Sequence, residues 1–96
     1  MSTYNGWTNY ATWRINLEMF DGRSLADYSN ADDVHDAAED LKYYVNDYFE
    51  QTAQDGINAG YDLQLMRDYA QAFISDVNWY EIAEHLLSEM EEEQDE

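Results

Sequence analysis

SNADDVHDAAEDLKYYVNDYFEQTAQDG, residues 29–56, is the stretch on which the fold turns. Val34, Ala38, Leu41, Val45, Tyr48 and Thr52 recur in it at spacings of three and four. That is the period of an α-helix, so the six are expected to share its inward face. Asp32, Asp36, Glu39, Asp40, Asp47 and Glu50 fall on the opposite side, with Lys42 the one base among them. Ordinary surface helices mix both signs and gain i,i+4 pairs, whereas this one repeats a single sign and accepts the repulsion. A helix from Ser29 to Gly56, capped by Ser29 or Asn30, would set Asp32 or Asp33 in its first turn, where the helix dipole favours anions. From Asp32 to Asp47 it would rise about 22 Å at ~1.5 Å per residue. A rigid row of carboxylates that long resembles the phosphates of a nucleic acid in charge and reach.

Toward the N-terminus, Met1 to Thr8 reads as an irregular lead-in containing Gly6. Asn9 or Thr8 can cap a helix of about three turns over Tyr10 to Asp21. Its inward stripe would be Tyr10, Trp13, Leu17 and Phe20, and Gly22 would end it in the position that requires positive φ. Arg23 to Tyr28 is expected to form a loop or one extra turn. Beyond the long helix, Gly56, Asn58 and Gly60 break the chain. A third helix is predicted from Asp62 to about Ser75, with Leu65, Met66, Tyr69, Ala72 and Phe73 inward. The fourth begins at a variant capping box, Asn78 with Glu81, flanked by Val77 and Ile82 as a hydrophobic staple. Ile82, Ala83, Leu86, Leu87 and Met90 are its inward residues. Residues 91–96, EEEQDE, read as a mobile acidic tail. No segment alternates with period two, and no repeat or linker divides the chain. The expected fold is all-α: residues 1–96 as one domain, a small bundle of about four helices with one long central acidic helix.

Ninety-six residues have room for one modest core. Nine Tyr, three Trp and three Phe argue for folding, since disordered chains are poor in aromatics. Twenty-two acids against four bases leave a net charge of −18. Such a chain avoids anionic membranes and does not bind DNA or RNA directly; its partners are basic surfaces. The absence of Cys excludes disulfides and thiolate chemistry and fits a reducing cytoplasm. The first apolar stretch is interrupted by Asn, Thr and Arg14, so no signal peptide is expected, and no run is long enough to span a membrane.

Twenty-two acids produce close carboxylate pairs by chance, so pairing alone does not indicate glycosidase-type chemistry, which needs a raised pKa inside a cleft. The sequence contains no phosphate-binding glycine loop and no nucleophile elbow. Enzyme activity is not expected. His35 with Glu39, and Glu81 with His85, are i,i+4 pairs. However, the chain has no Glu-x-x-His pairs of a di-iron bundle and no EF-hand pattern, so neither metal nor cofactor is expected. Trp13, Tyr44, Tyr48, Phe49, Tyr69, Phe73 and Trp79 are read as core residues with polar tips at its edge.

The segment Asp32-Asp33-Val34-His35-Asp36-Ala37 is similar to a stretch of the phage overcome-classical-restriction type of DNA-mimic anti-restriction proteins. So is Trp79-x-x-Ile82-Ala83-Glu84-x-Leu86-Leu87 running into an acidic tail. The resemblance implies a helical fold and a mimicry function. Separately, Asn9-Tyr10-Ala11-Thr12-Trp13 resembles an N-Y-x-T-W segment of small phage and plasmid proteins, which implies a mobile genetic element.

Together these readings give the expectation of a DNA-mimic inhibitor in the host bacterial cytoplasm. It would occupy the basic groove of a defence nuclease, such as a restriction–modification enzyme or CRISPR effector. The expected partner-binding residues are Asp32, Asp33, Asp36, Glu39, Asp40, Asp47 and Glu50, extended by Glu81, Glu84 and Glu89 of the last helix. A homodimer is compatible with this reading. The alternative is an acidic assembly or chaperone-like module that holds a basic protein without blocking DNA.

Overall fold

The computed structural model of the protein describes residues 4–94, with side chains through Met90. The chain is all-α, as its periodicity predicts. Helix α1 covers Tyr10–Ile15, α2 Val34–Asn58, α3 Gln64–Ser75 and α4 Trp79–Gln94. A π-helical stretch, Asn16–Phe20, continues α1, and a 3-10 turn, Leu25–Asp27, lies between it and α2. Among the described residues the only β feature is an isolated bridge between Tyr4 and Trp7. No helix among them is long and apolar enough to cross a membrane.

The first helical segment starts where Asn9 accepts from the Thr12 amide and ends before Gly22, whose φ is +76°. Its inward face differs from the expected one. Ala11, Thr12, Ile15, Asn16 and Phe20 are buried, while Tyr10 and Leu17 are exposed and Trp13 is half-buried. The π turn contributes to this: the Asp21 amide donates to the Asn16 carbonyl five residues back, at 2.8 Å. One wider turn carries the buried row along i,i+4 steps from Thr12 through Asn16 to Phe20.

Helix α2 begins later and ends later than the sequence suggests. Asp33 is its cap, accepting from the His35 amide at 3.3 Å, and Asp36 is the acid of its first turn. Ser29 instead folds back to accept from the Ala31 amide. The helix passes through Gly56 to Asn58, and the chain turns at Gly60, where φ is +99°. Gly56 serves packing rather than termination: a Cβ there would come within 2.2 Å of Leu63 Cδ1.

The core joins Phe20, Leu25, Ala37, Ala38, Leu41, Val45, Ile74, Trp79, Ile82 and Leu86. Helix α2 packs against both α3 and α4, and α4 also meets α1 and the 3-10 turn. Tyr48 and Thr52, expected inside, are exposed. Past Val45 the contact face of α2 rotates toward Phe49 and Ala53, which share an apolar recess with Leu63 and Ala70 of the α3 arm. Nothing comparable covers the Tyr48 side.

The largest departure is α3. Leu65, Met66, Tyr69 and Ala72 face outward, and Ile74 is its one buried residue. Arg67 and Gln71 are turned inward because both bond Glu50 of α2: Arg67 Nε donates to Oε2 at 3.1 Å and Gln71 to Oε1 at 2.7 Å. The inward side of α3 thus combines this polar pairing with Ala70, Phe73 and Ile74. Of the aromatics expected in the core, Trp79 is buried. Trp13, Phe49 and Phe73 are half-buried, and Tyr44, Tyr48 and Tyr69 are exposed.

Helix α4 starts as read. Asn78 Oδ1 accepts from the Glu81 amide at 3.1 Å, and Val77 and Ile82 are buried. The reciprocal half of the capping box is redirected: Glu81 accepts from the Thr8 amide at 2.8 Å. Around it, Asn78 Nδ2 donates to the Thr8 hydroxyl at 2.9 Å and Asn9 Nδ2 to the Asp76 carbonyl at 2.7 Å. The buried Thr12 hydroxyl donates to Asn9 at 2.6 Å and accepts from the Asn78 amide at 2.8 Å. The Asn9 and Thr12 of the N-Y-x-T-W segment therefore fasten α1 to the α3–α4 turn. The backbone of α4 continues helically to Gln94, through the first part of the expected tail. The side chains of that tail, and residues 95–96, lie outside the described residues.

Candidate functional site: an acidic, tyrosine-flanked recess

One face of α2 presents Asp36, Glu39, Asp40, Tyr43 and Asp47 at steps of three and four, which places them on a single stripe. From Asp36 to Asp47 the stripe rises about 16 Å. The chain before α2 returns alongside it and forms the second wall. Together they enclose an open recess of ≈ 740 Å³. Five carboxylates line it, those of Asp27, Asp36, Glu39, Asp40 and Asp47, and no Lys or Arg does.

The second wall is held by specific contacts. Tyr28 packs edge-on against buried Phe20 at 5.0 Å and against Tyr44 at 4.7 Å, and its hydroxyl donates to the Met19 carbonyl at 3.2 Å. Ser29 donates to Asp40 Oδ2 at 2.6 Å, which ties the wall to the helix face. Asp40 is thereby positioned and keeps further acceptor capacity. Tyr43 stands beside the row with 74% of its surface exposed. An aromatic face next to carboxylates suits a guanidinium, which can pair with one and stack on the other.

The remaining expected residues are placed differently. Asp33 is the cap of α2, and Asp32 lies in the bend before it, so the helical row starts at Asp36. Glu50 continues the stripe but is half-buried and bonded to Arg67 and Gln71. The Arg67 hydrogen bonds hold its carboxyl below the usual value. Glu81 is engaged by Thr8. Glu84 and Glu89 are exposed on α4, where His85 Nε2 sits 2.9 Å from Glu89 and edge-on to Trp7. Glu84 borders a separate hollow with Trp7, His85 and Ser88. The structure thus groups Asp36, Glu39, Asp40 and Asp47 and leaves the α4 acids outside that recess.

The sequence reading missed Asp27, which the 3-10 turn carries into the recess, and the tyrosines that flank it. The Ser24 cap on the Ala26 amide was the available signal for that turn. One further base and acid neutralise one another locally: Arg14 pairs with Glu18 at 3.0 Å, four residues on. Asp33, His35 and Asp36 offer ligand atoms within 4.8 Å of one another, all exposed at the start of α2. Asp33 is already used there as the cap, and open carboxylates on a helix start are common without an ion.

No family model, curated protein or solved structure matches the chain.

Proposed function

We propose that this protein is a DNA mimic that blocks a DNA-binding protein by filling its basic groove with the α2 recess face. The observation that carries the reading is the recess itself: five carboxylates, no base, and tyrosines at its margin. A groove built for DNA gains much of its affinity from counterion release at phosphates. Carboxylates fixed along one helix collect the same attraction without first having to be ordered. Glu50 and Glu81 take structural roles in this scheme, and Asp36, Glu39, Asp40 and Asp47 carry the contact. The proposed target class is a host defence nuclease, a restriction–modification enzyme or a CRISPR effector, as the resemblance to anti-restriction proteins suggests.

The test is displacement. A target captured from bacterial lysate and eluted by salt is loaded with labelled duplex DNA, and the protein is added. A mimic releases the DNA. Replacing Asp36 and Asp40 by Asn, Glu39 by Gln and Asp47 by Asn weakens that release about a hundredfold or more, with the helix content unchanged. Formation of a ternary complex that retains DNA would exclude mimicry and leave the acidic assembly reading in its place.

A further inference from the structure

The outward face of α3 is an unpartnered apolar stripe on an otherwise acidic protein. Leu65, Met66 and Tyr69 are 67%, 66% and 70% exposed. They lie at i, i+1 and i+4, with Ala72 and half-buried Phe73 continuing the row. Met66 also borders a mostly apolar recess of ≈ 250 Å³ walled by Phe49, Thr52, Ala53, Leu63, Ala70 and the Glu50-paired Arg67. Tyr48, 51% exposed, stands beside it with its ring 5.7 Å from that of Phe49. A ridge of large side chains and an apolar hollow are therefore adjacent on one surface.

We propose that a second copy of the chain covers this surface, giving a two-fold dimer with α3 against α3. Three observations select that occupant. First, the outward face of α3 carries a single acid, Asp68, since Arg67 is turned inward onto Glu50, whereas α2 carries six acids against Lys42. Two copies of a −18 chain can approach only where their like charge is thinnest, and α3 offers that approach. A basic partner would instead be drawn to the carboxylates of α2. Second, a two-fold contact needs a self-complementary patch, and a ridge next to a hollow lets each copy fill the other. Third, the area suffices. The stripe with Tyr48 and the recess rim exposes on the order of 600 Å² of large side chains. Doubled, this reaches about 1,200 Å², the lower bound of stable specific interfaces. The dimer is accordingly weak and concentration-dependent, and it leaves the α2 recess of each copy free. It does not depend on the proposed function.

Sedimentation equilibrium of the purified full chain over a concentration series, at about 0.1 M and about 0.5 M NaCl, tests it. Dimer of twice the 11.3 kDa chain mass is expected, tighter at the higher salt because screening removes repulsion while apolar contact persists. Two double variants decide the surface: Leu65→Glu with Tyr69→Glu, and Leu65→Lys with Tyr69→Lys. Both positions are exposed in the single chain, so folding is retained, as circular dichroism checks. Each variant is expected to raise the dissociation constant at least about tenfold. The Lys variant lowers net charge, so its failure to dimerise shows that apolar contact drives assembly. A wild type that stays monomeric at the higher salt up to about millimolar concentration overturns the proposal. So does a dimer that both variants leave intact.

Discussion

The two halves of α2 carry the same kind of sequence and end in opposite roles. From Asp36 to Asp47 the carboxylates stand along an open recess with no base on its lining, and the apolar side, Ala37, Ala38, Leu41 and Val45, is buried. From Tyr48 onward Tyr48 and Thr52 of the stripe are left exposed, while Glu50, the acid that continues the row, is half-buried beneath Arg67 and Gln71. Charge and hydropathy patterns are equally regular in both. What differs is the neighbour. The first half lies in the core shared with α4, and the second packs on the α3 arm, where Arg67 and Gln71 bond Glu50. A regular acidic stripe therefore identifies a surface only where no other element supplies a base.

The sharpest way to break this comparison is truncation of the two apolar stripes. Leu41→Ala is expected to cost about 2–5 kcal/mol, as is Leu86→Ala, because both side chains are fully or almost fully buried. Tyr48→Ala and Thr52→Ala, on the same sequence period, should stay within about 1 kcal/mol. Urea denaturation of the four variants decides it. Equal losses at Leu41 and Tyr48 would mean that the second half is covered after all.

At the start of α4, Asn78→Ala removes the cap and the link to Thr8, and about 1 kcal/mol of stability is expected to go with it. The comparison with Glu50 is then one of direction. Glu50→Gln should lower the melting temperature, since it weakens the bonds that hold α3 in rotation. Asp47→Asn should raise it slightly at low salt by removing one unit of repulsion. Opposite signs at two acids three residues apart would confirm that partnership, rather than position on the stripe, assigns the role.

Acid titration sharpens the same contrast. Hydrogen bonding to Arg67, aided by charge attraction and by Gln71, holds the folded-state Glu50 carboxyl below its ordinary value of 4.5. Its contribution is therefore complete above that value and is lost as pH falls through the lower folded-state one. The stability gap between wild type and Glu50→Gln should be constant at neutral pH and narrow progressively as pH falls below 4.5. The smallest effect is from salt. Raising NaCl from about 0.02 to 0.15 M should raise the melting temperature of the wild type more than that of the variant lacking Asp36, Glu39, Asp40 and Asp47 as acids.

The helical class and the number of helices were legible in the sequence, because the three-and-four spacing, the Asn9 and Asn78 caps and Gly22 act within a few residues of themselves. The spacing and exposure of Asp36, Glu39, Asp40 and Asp47 were legible for the same reason: one helix sets them along one side. Tertiary structure alone decided which regular stripes are covered. Leu65, Met66 and Tyr69 have the pattern of an inward face, yet they face solvent, while Arg67 and Gln71 reach Glu50 seventeen and twenty-one residues away and Ile74 enters the core. Likewise Asp27 joins the recess only because Tyr28 and Ser29 anchor the preceding chain against α2. Periodicity reports that a helix has two sides; which side meets another element depends on contacts between residues far apart in the chain, and no local pattern encodes them.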